Sequence, residues 1–237
     1  MKFVVILGDG MADRPVAQLG GKTPLQFANI PTMDYLARHG ELGLVKTVPD
    51  GVAPGSDVAN LSVMGYNPRE YYTGRSPLEA VSMNIPLSDS DITFRCNLVT
   101  LSDDPLYSDK VMIDYSSDEI STEEAVEIIK EVNHYLKTQE IEFFPGISYR
   151  HLMVWHNGPL SFDLTPPHDI LEKKISDFLP KGDKSDIIFK MMEKSNKFLK
   201  DHYVNNARIK KGLRPANSIW IWGEGKKPSL PSFYEKY

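Results

Sequence analysis

Cysteine is almost absent. Cys96 alone cannot close an internal disulfide, which excludes a disulfide-stapled secreted domain and fits a reducing compartment. Long apolar runs are missing too: residues 3–7 meet Gly8-Asp9-Gly10 at once, too short a stretch for a signal peptide or a membrane span. Nor do basic residues dominate. The 27 Lys and Arg stand against 32 Asp and Glu, a net charge of −5, which argues against nucleic-acid and anionic-membrane partners. Repeats, low-complexity tracts and charge blocks are lacking as well. What is there is average: 237 residues, 41% apolar and 25% charged, enough for one or two packed domains. The chain reads as a soluble, globular, cytoplasmic protein.

Residues 3–7 are apolar at every position, the pattern of a strand buried on both faces, and Gly8-Asp9-Gly10 follows at its carboxyl end. In open α/β sheets that edge binds ligands. Thr32 can cap a short helix that stops at Gly40, residues 42–48 read as a second strand, and Ser56 opens a helix ending near Gly65. This alternation predicts a parallel α/β layer. From about Asn84 the texture changes. Residues 93–100 alternate with period two, as in a sheet with one wet face. Ser121 and Glu124 have capping-box spacing before an apolar stripe (Ala125, Ile128, Ile129, Val132, Tyr135, Leu136). Residues 151–155 and 160–162 flank Asn157-Gly158, a hairpin signal. A second amphipathic helix carries Ile187, Ile188, Met191, Met192, Phe198 and Leu199, and 218–222 is strand-like again. The expected fold is therefore α/β, a mostly parallel sheet with helices interrupted by an inserted α+β domain. Its boundaries are 1–86 for the first part, 87–213 for the insertion and 214–237 for the return.

Four groups of residues could carry chemistry. Asp9, a carboxylate at a strand's carboxyl end between glycines, suits a cation; as a turn residue or cap it would look the same. Ser56 in Pro54-Gly55-Ser56-Asp57 stands at a helix start, where unpaired N–H groups favour an alkoxide or a phosphate; a plain N-cap is the bland alternative. A serine hydroxyl needs a base or a metal to attack, and no histidine is near in sequence, so metal activation with Asp9 is the better fit. The arginines Arg75, Arg95, Arg150, Arg208 and Arg214 sit among small or aromatic residues. Singly each reads as structural, but as a set they point to an anionic small substrate. His151, His156 and His168 lie in the middle region without metal-ligand spacing.

Gly8-Asp9-Gly10-Met11-Ala12-Asp13, Pro54-Gly55-Ser56-Asp57-Val58-Ala59-Asn60, Phe94-Arg95-Cys96-Asn97-Leu98, Pro145-Gly146-Ile147-Ser148-Tyr149-Arg150-His151, Pro166-Pro167-His168-Asp169 and Trp220-Ile221-Trp222-Gly223-Glu224-Gly225 occur in this order. Together they resemble the archaeal-type, cofactor-independent phosphoglycerate mutases of the alkaline phosphatase superfamily, across essentially the whole chain. The resemblance implies a two-metal phosphotransferase of the Mn, Mg or Zn class that uses no 2,3-bisphosphoglycerate. Its substrate would be a small phosphorylated acid, 3-phosphoglycerate or 2-phosphoglycerate. Ser56 would be the nucleophile that becomes phosphoserine, and Asp9 and Ser56 would be metal ligands. Arg95, Arg150, His151, His168 and Asp169 match substrate-binding positions, and Arg214 stands where a bacterial branch carries a phosphate-contacting lysine.

Two departures stand out. The family continues past Gly225 with further Asp and His ligands, so this chain reads as an amino-terminal part whose partner is the missing carboxyl-terminal half. Where a Gly-His pair is expected after a serine, the chain has Asp118-Glu119. Two alternatives stand beside the mutase: a homoserine kinase-like phosphotransferase, and a non-catalytic phosphate-binding fragment.

Overall fold

The computed structural model describes residues 4–237 and divides the chain into two compact units, one reaching to Lys46 and the other spanning Thr47–Tyr237. In the first unit Val16 and Lys22 form an isolated bridge around a tight turn. Helix α1 (Pro24–Phe27) follows with a reciprocal Thr23–Gln26 capping box. Helix α2 (Pro31–His39) ends at Gly40 as read from the sequence, but it starts on Pro31, whose fixed φ suits the first helical position better than a cap at Thr32. The strands expected at 3–7 and 42–48 are not formed among the described residues, and Phe3 lies outside them. Val4, Ile6, Leu42 and Leu44 are all at least 80% exposed. An all-apolar strand needs partners on its edges and faces, and no described strand pairs with these segments.

The second unit opens with three short helices, α3 (Ser56–Val63), α4 (Pro68–Tyr71) and α5 (Ser76–Ser82). Strand β1 (Ile92–Leu101) follows and is the spine of an antiparallel sheet. Strand β2 (Met112–Asp114) pairs with its far end, helix α6 (Thr122–Leu136) crosses one face, and β3 (Ile141–Ile147) turns into β4 (Arg150–Trp155). The small pair β5 (Phe162–Asp163) and β6 (Lys181–Gly182) precedes α7 (Ser185–Leu199), α8 (Tyr203–Lys210), β7 (Ser218–Lys226) and α9 (Phe233–Lys236). The sheet order is β3-β4-β1-β7, every described ladder being antiparallel. The class is mixed α/β, with the described sheet in its α+β part. No described helix is long and apolar enough to cross a membrane.

Ser121 caps α6 by accepting from the Glu124 N–H, and the helix buries Ala125, Ile128, Ile129, Val132 and Leu136 as its spacing predicts. Each large apolar side chain so buried contributes about 1.5–3 kcal/mol. Three expectations change. The hairpin around Asn157-Gly158 does not form: β4 already has β1 on one edge and β3 on the other, so the segment after Gly158 pairs elsewhere as β5. Strand β7, read as the return to the first domain, pairs with the second edge of β1. And β1 has no wet face. Phe94, Cys96 and Leu98 enter the main core with Met153, Trp155, Ile219 and Ile221, while Arg95 and Asn97 point the other way and are only 3% and 2% exposed. The polar face of β1 is buried, and it floors a cleft.

Candidate active site

Ser56 is the first residue of α3, not its cap. Gly55 holds the N-cap position with extended backbone and no side-chain cap bond, and Ser56 is exposed. Capping falls instead to Asp57, whose Oδ1 accepts from the Val58 N–H at 3.0 Å while Oδ2 accepts from the Tyr72 hydroxyl at 2.6 Å. Burial and that carboxylate push the Tyr72 hydroxyl above its ordinary pKa. The Ser56 hydroxyl therefore sits at a helix N-terminus without a cap bond or other hydrogen bond among the described residues. It lines a cleft of about 550 Å³ together with Asn60, Arg75, Glu79 and Phe233.

A second, more polar cleft of about 280 Å³ is lined by Arg75, Arg95, Asn97, Tyr149, Arg150 and His168, and by Tyr115 and Trp222. Strand alternation builds it: Arg95 and Asn97 project from β1 on the same face, opposite Trp222 and Trp220 of β7. Arg95 Nη1 pairs with Glu79 Oε1 at 2.6 Å, and its guanidinium lies 5.0 Å over the Trp222 ring. The Trp222 indole donates to Asn97 Oδ1 at 3.0 Å. His168 stands edge-on to Trp222 at 5.4 Å and to Tyr115 at 6.0 Å. Burial lowers the Arg95 pKa, with Glu79 opposing and Arg75 and Arg150 adding to the shift. Arg95 Nε is buried without a partner among the described residues. A buried guanidinium among other cations favours an anion in this cleft.

The sequence-derived substrate set is thus split. Arg95, Arg150 and His168 come together. Asp169 is exposed beside His168, with 3.8 Å between Oδ1 and Nε2. His151 does not line the cleft: it alternates with Arg150 and Leu152 along β4, is 1% exposed, and accepts from the Gly146 N–H through Nδ1 at 3.0 Å. Burial, with Arg95 adding, lowers its pKa to about 3, so it is a neutral core imidazole. Arg214 does not line the cleft either. Its Nη1 meets Asp114 Oδ2 at 3.2 Å and its backbone N–H donates to Asp118 Oδ2 at 2.7 Å. Arg208 is structural as well, tied to Glu124 and to the Ser117 carbonyl. Asp9 is exposed in the first unit, and among the described residues no three His, Cys, Asp or Glu side chains gather as a metal site. Sequence reasoning missed Glu79, Asn97, Tyr115, Tyr149 and Trp222. Asn97 and Trp222 were within reach, since period two from Arg95 and from Trp220 carries them to the same face.

Residues 37–205 match the family model of the 2,3-bisphosphoglycerate-independent phosphoglycerate mutases. The chain belongs to this family. A probable mutase of this kind from Geobacter sulfurreducens is 51% identical over the whole chain, and one from Methanothrix thermoacetophila is also 51% identical. The chain spans 59% and 58% of those two relatives, so it corresponds to somewhat over half of such a mutase. Among solved structures, a Pyrococcus horikoshii protein matches 96% of the chain at 29% identity with a TM-score of 0.66, covering 52% of that protein. The cofactor-independent phosphoglycerate mutase of Thermoplasma acidophilum matches 96% at 28% identity with a TM-score of 0.55, covering 60% of its length.

Proposed function

We propose that the whole protein, of which this chain is a part, is a cytoplasmic mutase interconverting 3-phosphoglycerate and 2-phosphoglycerate without 2,3-bisphosphoglycerate. One observation carries the reading: Ser56, relieved of capping, opens into a cleft that shares Arg75 with the arginine-lined cleft. Ser56 Oγ attacks phosphorus, the bond to the glycerate oxygen breaks, and the phosphoryl group returns to the neighbouring hydroxyl. The N–H groups at the start of α3 favour the negative oxygens in transit. Arg95 and Arg150 offer paired donors to phosphate or carboxylate, and His168 offers an imidazole at the rim. For His151, Asp169 and Arg214 the supported roles are core, surface and turn anchor. Asp9 and Ser56 remain the proposed ligands for divalent metal. The described residues do not complete such a site, so the missing ligands belong to the remaining two-fifths or so of the relatives' length.

A homoserine kinase-like transfer is the second reading, favoured by Glu119. Burial raises the pKa of Tyr149 in the cleft wall and the Glu119 charge adds to it, so the field of a carboxylate reaches that wall and would favour a substrate ammonium group. The deciding experiment is an enolase-coupled assay of the whole protein with 3-phosphoglycerate, run beside homoserine plus ATP. Turnover of phosphoglycerate alone supports the mutase; turnover of homoserine alone overturns it.

A further inference from the structure

We propose that Arg75 is the shared anion contact of the two clefts, holding the phosphoryl group both at Ser56 and at the Arg95–Arg150 side. This rests on the phosphotransfer reading of Ser56. Arg75 lines the Ser56 cleft and the arginine cleft alike, the one residue those two linings have in common.

Its backbone is pinned on both sides. The Thr73 hydroxyl donates to the Lys226 carbonyl at 2.7 Å, the Lys226 N–H returns a bond to the Thr73 carbonyl at 3.2 Å, and the Ser76 hydroxyl donates to the Thr93 carbonyl at 2.8 Å. Between them Gly74 has φ +125°, and a Cβ there would stand 2.3 Å from the Glu224 carbonyl oxygen. The strap 73–76 is thereby fastened to β1 and β7. The side chain it presents is not fastened: among the described residues no ion pair or hydrogen bond holds the Arg75 guanidinium, whereas Arg95, Arg208 and Arg214 each have a carboxylate. A half-buried arginine on a fixed backbone with an idle guanidinium is preorganised for a ligand. Against Arg75, Arg95 and Arg150, the carboxylates paired with the lining of the arginine cleft are Glu79, on Arg95, and the exposed Asp169, beside His168, so three guanidinium groups face two carboxylates and the excess positive charge suits a phosphate dianion.

During transfer the Oγ–phosphorus bond forms as the ester bond breaks, and the Ser56 proton ends on the departing oxygen. The reverse follows at the neighbouring hydroxyl, and Arg75 stays protonated throughout. Two arms test this. In the first, inorganic phosphate is titrated calorimetrically into the 237-residue chain; R75M weakens binding at least about tenfold, whereas an unchanged Kd overturns the assignment. In the second, R75M lowers the kcat of the whole protein at least about a hundredfold, and millimolar guanidinium restores part of the turnover of R75A. An unchanged kcat, or a loss that guanidinium does not restore, overturns it. R75Q repeats both arms should R75M fold poorly. If the unsubstituted whole protein does not turn over phosphoglycerate, the mutase reading fails while the phosphate arm still decides Arg75.

Discussion

At Ser56 a structural role and a catalytic one predict opposite things. A true N-cap serine is worth about 0.5–2 kcal/mol, but this hydroxyl makes no cap bond. Ser56→Ala should therefore leave the thermal unfolding midpoint nearly unchanged while removing essentially all turnover of the whole protein. A lowered midpoint with activity kept would return Ser56 to the helix. His151 supplies a second single-residue prediction. Its imidazole titrates at about 3 in the fold against the usual 6.5, so between those values the unfolded chain binds a proton that the native chain does not. Stability then falls as pH drops through 6.5 towards 3, by up to about 1.4 kcal/mol per pH unit from this residue. Urea unfolding at pH 7, 6, 5 and 4 should show that slope, and His151→Gln should flatten it. An identical slope in the variant would mean that His151 is not the group responsible.

Elements explain which parts of the site could be read in advance. The period-two pattern of β1 located Arg95 on a strand, but whether its polar face meets water or a cleft depends on how α5 folds back and on β7, which approaches from distant sequence. Helices α6 and α7 were legible because a 3.6-residue stripe is local; the Asn157-Gly158 hairpin was not, because it depends on which edges of β4 are already taken. The turn after β2 is another non-local feature. Ser117, Asp118 and Glu119 have φ of 52°, 53° and 50°, a left-handed run held by Asp114 and Arg208. Such a residue costs about 1–2 kcal/mol where glycine costs little, set against about 0.5–1 kcal/mol of glycine's own entropy. Glu119→Gly should raise the melting temperature by about 1–3 °C in calorimetry, and a fall would show that the Glu119 side chain holds the turn. Gly74→Ala should do the reverse, destabilising by about 1–3 kcal/mol or more in urea titration, because the strap would lose both its φ and its fit against β7.

Across the whole molecule, family and class were legible from ordered motifs, while the parallel layer was not, because the segments that would form it lack partners among the described residues. The ligands proposed for metal within these residues are Asp9, in the first unit, and Ser56, in the second; no cluster of three His, Cys, Asp or Glu occurs among the described residues, and a tight divalent site normally takes at least three protein ligands with supporting hydrogen bonds. The 237-residue chain alone should therefore bind manganese weakly in a calorimetric titration and show no turnover in the coupled mutase assay. Phosphate should still bind it, since Arg75, Arg95 and Arg150 belong to one unit and need no metal to attract an anion. Adding the remaining segment of the protein should restore both tight metal binding and turnover. Turnover by the isolated chain that disappears in its Ser56→Ala form would instead place the complete ligand set within these residues, and the division of the site between two parts of the protein would fall.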